Sequence, residues 1–220
     1  MVKAEQLRLL AAVYLSGMGY YVEVLPEMPD SDAQPDVIGV KPRLKEVKLR
    51  MERGGAPAGI VYLLLDNEWK STQTIVERTG LDEGFVTAVL RDSELDGWVK
   101  SRVGSDGMVW WKVDGYRAPA GECVMLCCGA EDPLGALDML ERLKGCFHRG
   151  YLLFPYQVDG KFLDDCLQRD IGVLVFDARI ASFTEALPAK HLKVENLKAY
   201  SSLCEKIVVD NCAFRSGQLW

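Results

Sequence analysis

The chain is poor in the side chains that bind zinc. It has two histidines, His148 and His191, and its seven cysteines include no Cys-x-x-Cys pair. A structural zinc site needs four such ligands at close spacing, so we expect no zinc. The cysteines lie in apolar strand and helix patterns, which indicates buried free thiols in a reducing cytosol. They are Cys123, Cys127, Cys128, Cys146, Cys166, Cys204 and Cys212.

Long apolar runs are missing as well. No stretch reaches the roughly 18 uncharged apolar residues that a membrane-spanning helix requires. Residues 1–5 also lack the basic and apolar pattern of a signal peptide. We therefore expect a soluble cytoplasmic protein with no membrane partner.

The chain has no excess of positive charge. Its formal net charge is −6, with 49% hydrophobic and 26% charged residues, an ordinary globular composition. An acidic protein is repelled by a phosphate backbone, so strong non-specific binding to nucleic acid is not expected, although a local basic face could exist. At 220 residues the chain can form one large domain or two small ones.

Two stretches of the chain predict an α/β fold. In the first, residues 4–16 have helical periodicity, and residues 20–25 and 35–40 have the pattern of strands. In the second, residues 173–176 form a continuous apolar run, which suits a strand covered on both faces. The second stretch predicts strands over 123–128, 151–154 and 171–177, helices over 134–143, 162–168 and 194–206, and a tail over 211–220.

The residues between these stretches have a different pattern. Helices are predicted over 58–67, 72–79 and 83–95, and a hairpin of two strands follows over 97–102 and 108–113. Ser71 and Asp82 suit the N-caps of the second and third helices, and Gly80 suits the end of the second. Three helices followed by a hairpin indicate a winged helix-turn-helix, the most specific motif in the chain. The predicted domains are 1–50 and 118–200 together, 51–117 as the winged helix, and 201–220 as a helix end and tail.

The order strand, helix, strand and proline over residues 123–155 resembles the core of the PD-(D/E)xK nuclease superfamily, which includes restriction enzymes and archaeal Holliday-junction resolvases. The resemblance implies a restriction-endonuclease-like mixed sheet flanked by helices, with the winged helix-turn-helix inserted. In that family the first of these strands ends in Glu-x-Lys, which binds magnesium and activates water. Here the matching positions are Leu126, Cys127 and Cys128. In this alignment the fold is a degenerate nuclease without catalytic activity and without a cofactor.

A second alignment keeps the family's motif. It places Asp36 on one strand and the triplet Glu46-Val47-Lys48 on the next, where Glu46 and Lys48 share one face. The resemblance then implies that Asp36, Glu46 and Glu5 bind Mg²⁺ and that Lys48 orients or deprotonates the attacking water. The chain would be a magnesium-dependent DNA endonuclease in this case.

The two alignments make opposite predictions for residues 44–53. The degenerate alignment predicts a charged helix in which Glu46 and Arg50 form an (i, i+4) pair. In the family a helix and a strand follow the Glu-x-Lys strand. Such elements follow Cys128, whereas a winged helix follows Lys48. We therefore favour the degenerate alignment.

The winged helix contains candidate residues for DNA contact. In DNA-binding winged helices the third helix enters the major groove and the wing contacts phosphate. Here the third helix and the residue on either side of it, 82–96, have five carboxylates, so a protein partner is an equal alternative. The candidates for DNA contact are Ser71, Thr72, Gln73, Thr87, Arg91, Lys100, Arg102 and Lys112.

These observations favour a non-catalytic, DNA- or transcription-associated regulatory protein. Its partners would be DNA, a transcription or DNA-processing protein, or both, and resolvase-like folds commonly form homodimers. The archaeal TATA-binding-protein-interacting proteins offer an analogy, because they are similar in size and fold. The acidity of this chain would suit the masking of a basic surface. A structural subunit of a larger complex is a third, weaker hypothesis.

Overall fold

The computed structural model describes residues 2–28, 31–56, 64 and 66–216. Contacts divide the chain into unit 1, Met1–Pro42 with Ala120–Tyr200, and unit 2, Arg43–Pro119 with Ser201–Trp220. In chain order the elements are α1 (Ala4–Gly17), β1 (Tyr21–Val24), β2 (Val37–Pro42), α2 (Leu44–Arg53), β3 (Lys70–Ser71), α3 (Thr72–Thr79), α4 (Glu83–Leu95), β4 (Val99–Val103), β5 (Val109–Val113), β6 (Ala120–Cys128), α5 (Pro133–Arg142), β7 (Arg149–Phe154), α6 (Gly160–Gln168), β8 (Gly172–Asp177), β9 (Ser182–Leu187) and α7 (Leu197–Ser216).

Unit 1 is a six-stranded mixed sheet in the order β1-β2-β6-β7-β8-β9. Strands β6, β7 and β8 are parallel, and the other neighbouring pairs are antiparallel. The parallel strands are joined through α5 and α6, because a parallel pair needs a crossover connection. The prediction of a mixed α/β sheet flanked by helices is confirmed at this level.

The core of unit 1 forms where α1 packs against the sheet. Leu7, Ala11 and Leu15 recur every four residues and therefore lie on one face of α1, where all three are buried. They belong to the same cluster as Leu126 and Leu174 of the sheet. This packing positions the N-terminal turns of α1 beside the ends of β2 and β6.

Unit 2 has the element order of a winged helix. Helices α3 and α4 are joined at Gly80, whose left-handed φ of +67° favours glycine. Strands β4 and β5 form a hairpin, and β3 pairs with β5. The result is a three-stranded antiparallel sheet in the order β3-β5-β4. Their common core includes Ile75, Leu90, Trp98 and Trp111. The predicted helix over 58–67 lies largely outside the described residues.

The segment 43–119 is inserted between two neighbouring strands of the sheet. Its first and last residues meet, since the backbone N–H of Arg43 donates to the carbonyl of Pro119 at 2.8 Å. In unit 1, Pro42 of β2 is paired with Ala120 of β6. Residues 43–50, which the sequence assigned to the α/β part, therefore belong to unit 2.

Two local predictions need correction, and one strand was not predicted. Residues 44–53 form the helix α2, so the strand required by the magnesium-binding alignment is wrong. The predicted tail over 211–220 is wrong for its first part, because α7 continues to Ser216. The edge strand β9 was not predicted at all, since most of its side chains are exposed and it lacks apolar alternation. No helix within the described ranges has the length and apolarity needed to cross a bilayer.

Candidate nucleic-acid interface and the nuclease-like site

Asp36, a metal ligand in the magnesium-binding alignment, lies immediately before β2. Arg8 of α1 donates its Nε–H to Oδ1 of this carboxylate. The backbone N–H of Cys128, at the end of β6, donates to Oδ2 at 2.7 Å. Both oxygens therefore have donors from the protein itself, and a guanidinium neutralises the charge that a metal ion would neutralise in a nuclease.

The other residues of the magnesium-binding alignment do not join Asp36. Glu46 lies on α2 in unit 2, where its Oε2 accepts from Nη1 of Arg50 at 3.0 Å. Lys48 is exposed and 3.7 Å from Glu52 of the same helix. Glu5 is exposed on α1. Mg²⁺ needs several converging oxygen ligands, and these residues do not supply them. Across residues 2–28, 31–56, 64 and 66–216, no three His, Cys, Asp or Glu side chains group as a metal site.

The thiols of Cys127 and Cys128, which the degenerate alignment matched to Glu-x-Lys, are held in the protonated form at neutral pH. Burial raises the pKa of Cys127 to about 12, and the negative charge of Asp36 acts in the same direction. The pKa of Cys128 is raised to about 12 by the same two causes. A thiol is nucleophilic only as the thiolate, so this strand end supplies neither a metal ligand nor a nucleophile.

Unit 2 contains a groove of about 670 Å³ between α3, α4 and the β4–β5 hairpin. Three of the predicted DNA-contact residues lie at its α3 end. Ser71 is buried and caps α3, accepting from the Thr74 backbone N–H at 3.1 Å. Thr72 accepts from Nε1 of Trp111 at 2.9 Å. Gln73 is exposed and donates to Glu77 at 3.0 Å. Ser71 and Thr72 are therefore engaged in holding α3 on the sheet.

The α4 side of the groove is more acidic than basic. Two of the DNA-contact candidates, Thr87 and Arg91, line it together with Glu83 and Glu94. Glu94 accepts from both the backbone N–H and the hydroxyl of Ser101, at 2.8 Å each. One cation and two carboxylates make this wall a poor surface for phosphate.

The remaining candidates lie on the opposite face of the hairpin. Lys100 is paired directly with Lys112, and Arg102 with Trp110. Their strand neighbours Ser101 and Trp111 line the groove. Because strand side chains alternate between faces, the three cations share the face that points away from the groove. We call Lys100, Arg102 and Lys112 the wing cluster.

One aromatic residue in contact with the wing cluster, Trp69, was missed by the sequence analysis. The guanidinium of Arg102 lies 4.3 Å from the ring centroid of Trp69, a cation–π contact that orients the arginine. Trp98 and Trp111 are buried in the core of unit 2. Lys100 also contacts the carboxylate of Asp114 at 2.9 Å, an exposed pair. The only sequence signal for Trp69 was its place beside Lys70, just before the α3 cap.

Comparisons with known proteins show no family for this chain. No protein-family model matches it, and no curated protein matches it. Among solved structures, HlyU from Vibrio cholerae N16961 is 18% identical with a TM-score of 0.24, over 46% of this chain and 86% of its own. The C30AH42A mutant of ZitR from Lactococcus lactis is 18% identical with a TM-score of 0.26, over 51% of this chain and 65% of its own. TM-scores this low carry no argument, so the proposals below depend on the geometry of the chain itself.

Proposed function

We propose that this chain is a non-catalytic, DNA-associated regulatory protein. Unit 2 contacts the DNA backbone through the wing cluster, and unit 1 is a degenerate restriction-endonuclease-like domain. The observation that carries the proposal is the placement of Lys100, Arg102 and Lys112 on one exposed face of the hairpin.

The spacing of the wing cluster suits phosphate contact. Directly opposed side chains on a hairpin are roughly 5 Å apart at Cβ, so Lys100 and Lys112 form a single patch of charge that Arg102 extends along the strand. The stacking of Arg102 on Trp69 reduces the conformational entropy that this side chain loses on binding. In this proposal DNA is bound without base reading by α4, because carboxylates dominate its exposed surface.

The order of elements supports the degenerate nuclease. One helix, three strands, a helix and a fourth strand are the core expected from the family resemblance, and α1, β1, β2, β6, α5 and β7 have this order once the insertion is set aside. Asp36 keeps the family's position after Pro35, and Arg8 engages its carboxylate. Because the residues present do not fit Mg²⁺, the proposal includes no metal-dependent step.

A titration of a labelled duplex against salt tests the DNA part of the proposal. Arg102→Glu and Lys112→Glu are expected to weaken binding about tenfold or more at low salt, and to lower the slope of log K against log salt by about 1 to 2 each. Arg91→Glu, a matched reversal in the groove, is expected to change the affinity much less. Loss of binding in Arg91→Glu with no change in the wing variants would show that α4 and the groove bind DNA, and would reject the proposal.

Incubation of linear and branched DNA with Mg²⁺ or Mn²⁺ tests the absence of catalysis. We expect no cleavage by the wild type or by Asp36→Ala. Metal-dependent cleavage that Asp36→Ala abolishes would establish the endonuclease alternative, in which Asp36, Glu46, Glu5 and Lys48 were the predicted residues.

A protein partner is the second candidate, and α4 favours it. Phe85 and Leu95 are 55% and 86% exposed, and they lie on the same helix as the exposed carboxylates of Glu83 and Asp92. Apolar side chains among acidic ones suit a basic transcription or DNA-processing protein better than DNA. The homodimer implied by the resemblance remains a prediction, which sedimentation equilibrium tests.

A further inference from the structure

Unit 1 contains a cavity that the proposed function does not use. It has a volume of about 310 Å³ and lies between the C-terminal end of α1 and one face of the sheet. Its apolar floor is formed by Leu15, Leu126 and Leu174, all buried. The cavity is within the size range of small-molecule sites, which combine an apolar lining with a few converging polar groups.

The hydroxyl donors of the cavity are already committed. Tyr20 donates its phenolic hydrogen to Oε2 of Glu122 at 2.8 Å. Tyr151 donates to Oε1 of Glu185 at 2.7 Å. Burial raises the pKa of Tyr151 to about 12, and the bond to Glu185 acts in the same direction. Both phenols therefore stay protonated near neutral pH. The carboxylates of Glu122 and Glu185 keep lone pairs that can accept further hydrogen bonds.

The two carboxylates of the cavity differ in their counter-charge. Glu122 accepts from Nε of Arg149 at 3.0 Å. Glu185 accepts only the hydroxyl of Tyr151, and no basic side chain among the described residues forms an ion pair with it. The cavity therefore has one balanced carboxylate and one unbalanced carboxylate, so its lining has a surplus negative charge.

The aromatic and helical parts of the cavity also favour a cation. Tyr14, Tyr20 and Tyr151 line it, and the faces of such rings attract ammonium groups. The ammonium group of Lys41 already contacts one of these rings, since its Nζ lies 4.9 Å from the Tyr20 ring centroid. The ammonium group of Lys41 also donates to the carbonyl of Met18 at the C-terminal end of α1, where a helix has a partial negative charge.

We propose that this cavity binds a primary alkylammonium group, with the alkyl chain against Leu15, Leu126 and Leu174 and the ammonium group at Glu185. The chain supplies an acceptor carboxylate, aromatic faces and an apolar floor, and its two phenolic donors are already paired. An anion or a neutral hydrogen-bond donor satisfies fewer of these groups. This site is independent of the wing cluster and does not depend on DNA binding.

An NMR titration of the full chain with n-pentylamine and with pentan-1-ol tests the proposal. The two probes share the same alkyl chain and differ in charge. We expect the amine to shift amide signals around residues 124–126 and 185 at millimolar concentration, and the alcohol to bind at least about tenfold more weakly. Nα-acetyl-lysine methylamide is the third probe, and it distinguishes a lysine side chain from a free amine as the natural source of the group.

Glu185→Gln removes the unbalanced charge and keeps an acceptor for Tyr151. We expect this variant to bind the amine about tenfold more weakly with the alcohol unaffected. Glu131→Gln, an exposed carboxamide substitution outside the cavity, is the matched control and is expected to behave as wild type. The proposal is rejected if neither amine binds at roughly 10 mM, if the alcohol binds as well as pentylamine, or if Glu185→Gln and Glu131→Gln bind the amine equally.

Discussion

The guanidinium of Arg50 and the carboxylate of Glu205 form a buried ion pair in unit 2. Nε of Arg50 donates to both oxygens of Glu205, at 3.1 and 3.2 Å, although 155 positions separate the residues. Glu46 and the carbonyl of Arg117 accept from the other nitrogens at 3.0 and 2.7 Å. The ring of Trp98 lies 4.5 Å from the guanidinium carbon. This pair joins α2 and α7 within unit 2.

Arg50→Met is expected to lower the free energy of unfolding by about 3 to 5 kcal/mol, because it leaves the carboxylates of Glu46 and Glu205 buried without a cation. All five tryptophans belong to the sequence ranges of unit 2, so urea unfolding followed by tryptophan fluorescence measures this change. Lys48→Met is the control on the same helix. Its pair with Glu52 is exposed, and we expect a loss below about 0.5 kcal/mol. Equal losses in the two variants would contradict the buried pair.

Ser71→Ala is expected to act on stability and not on DNA binding. The hydroxyl caps α3 and is buried, so its removal is expected to cost about 1 kcal/mol in urea unfolding. Gln73→Ala, two residues further along α3 and exposed, is the control for stability. A duplex titration at a temperature where both variants are folded is expected to give wild-type affinity for Ser71→Ala. A specific loss of affinity would return Ser71 to the interface.

Arg8 and Asp36 are expected to be energetically coupled. Arg8→Met leaves the Asp36 carboxylate with the Cys128 N–H and no cation, whereas Asp36→Asn removes the charge that Arg8 neutralises. We expect a coupling free energy of about 1 to 3 kcal/mol from the double-mutant cycle. Hydrogen exchange at the amides of residues 126–128 measures it within unit 1. Additive effects of the two substitutions would show that the contact contributes nothing to stability.

The two thiols at the end of β6 predict a loss of stability at alkaline pH. Burial raises the pKa of Cys127 and Cys128 to about 12 from an ordinary value of 9.0. A raised folded-state pKa stabilises the fold fully below the unfolded-state pKa, and this contribution is lost as pH rises. Stability is therefore expected to fall between about pH 9 and pH 12. Urea unfolding by circular dichroism from pH 8 to 11 measures the decline.

The double variant Cys127→Ala, Cys128→Ala is expected to flatten that decline between pH 9 and 10. Above pH 10 the buried phenol of Tyr151, whose pKa is raised from 10.0 to about 12, contributes to the loss in all variants. Cys212→Ala, on α7 in the sequence range of unit 2, is the control. An unchanged pH dependence in the double variant would show that these thiols ionise as easily in the folded state as in the unfolded state.

The sequence pattern correctly predicted strands whose side chains are buried on both faces of the sheet. Strand β6 was expected over 123–128 and extends over Ala120–Cys128, since nearly all its side chains are buried and the apolar run is unambiguous. The edge strand β9 was missed because Thr184, Glu185 and Ala186 are exposed and have no apolar alternation. Burial produces the pattern, so an exposed strand leaves little of it.

The local sequence around Glu46 could not distinguish between the two alignments. The triplet Glu46-Val47-Lys48 satisfies a catalytic strand and an amphipathic helix equally well. The contact that decides it, between Arg50 and Glu205, joins distant parts of the chain. The same limit applies to the DNA candidates. Side-chain type and position in the motif identified all eight candidates together, whereas the register of β4 against β5 separates the wing cluster from the groove.

The meeting of Arg43 and Pro119 has a consequence for the order of folding events. Pairing of β2 with β6 closes a loop that contains the whole insertion, and the entropic cost of closure rises with the length of flexible chain. Once the insertion is folded, the backbone nitrogen of Arg43 and the carbonyl oxygen of Pro119 are 2.8 Å apart. Little flexible chain then remains in that loop. Folding of unit 2 is therefore expected to lower the entropic cost of pairing β2 with β6. A substitution that slows its folding is expected to delay assembly of the sheet as well.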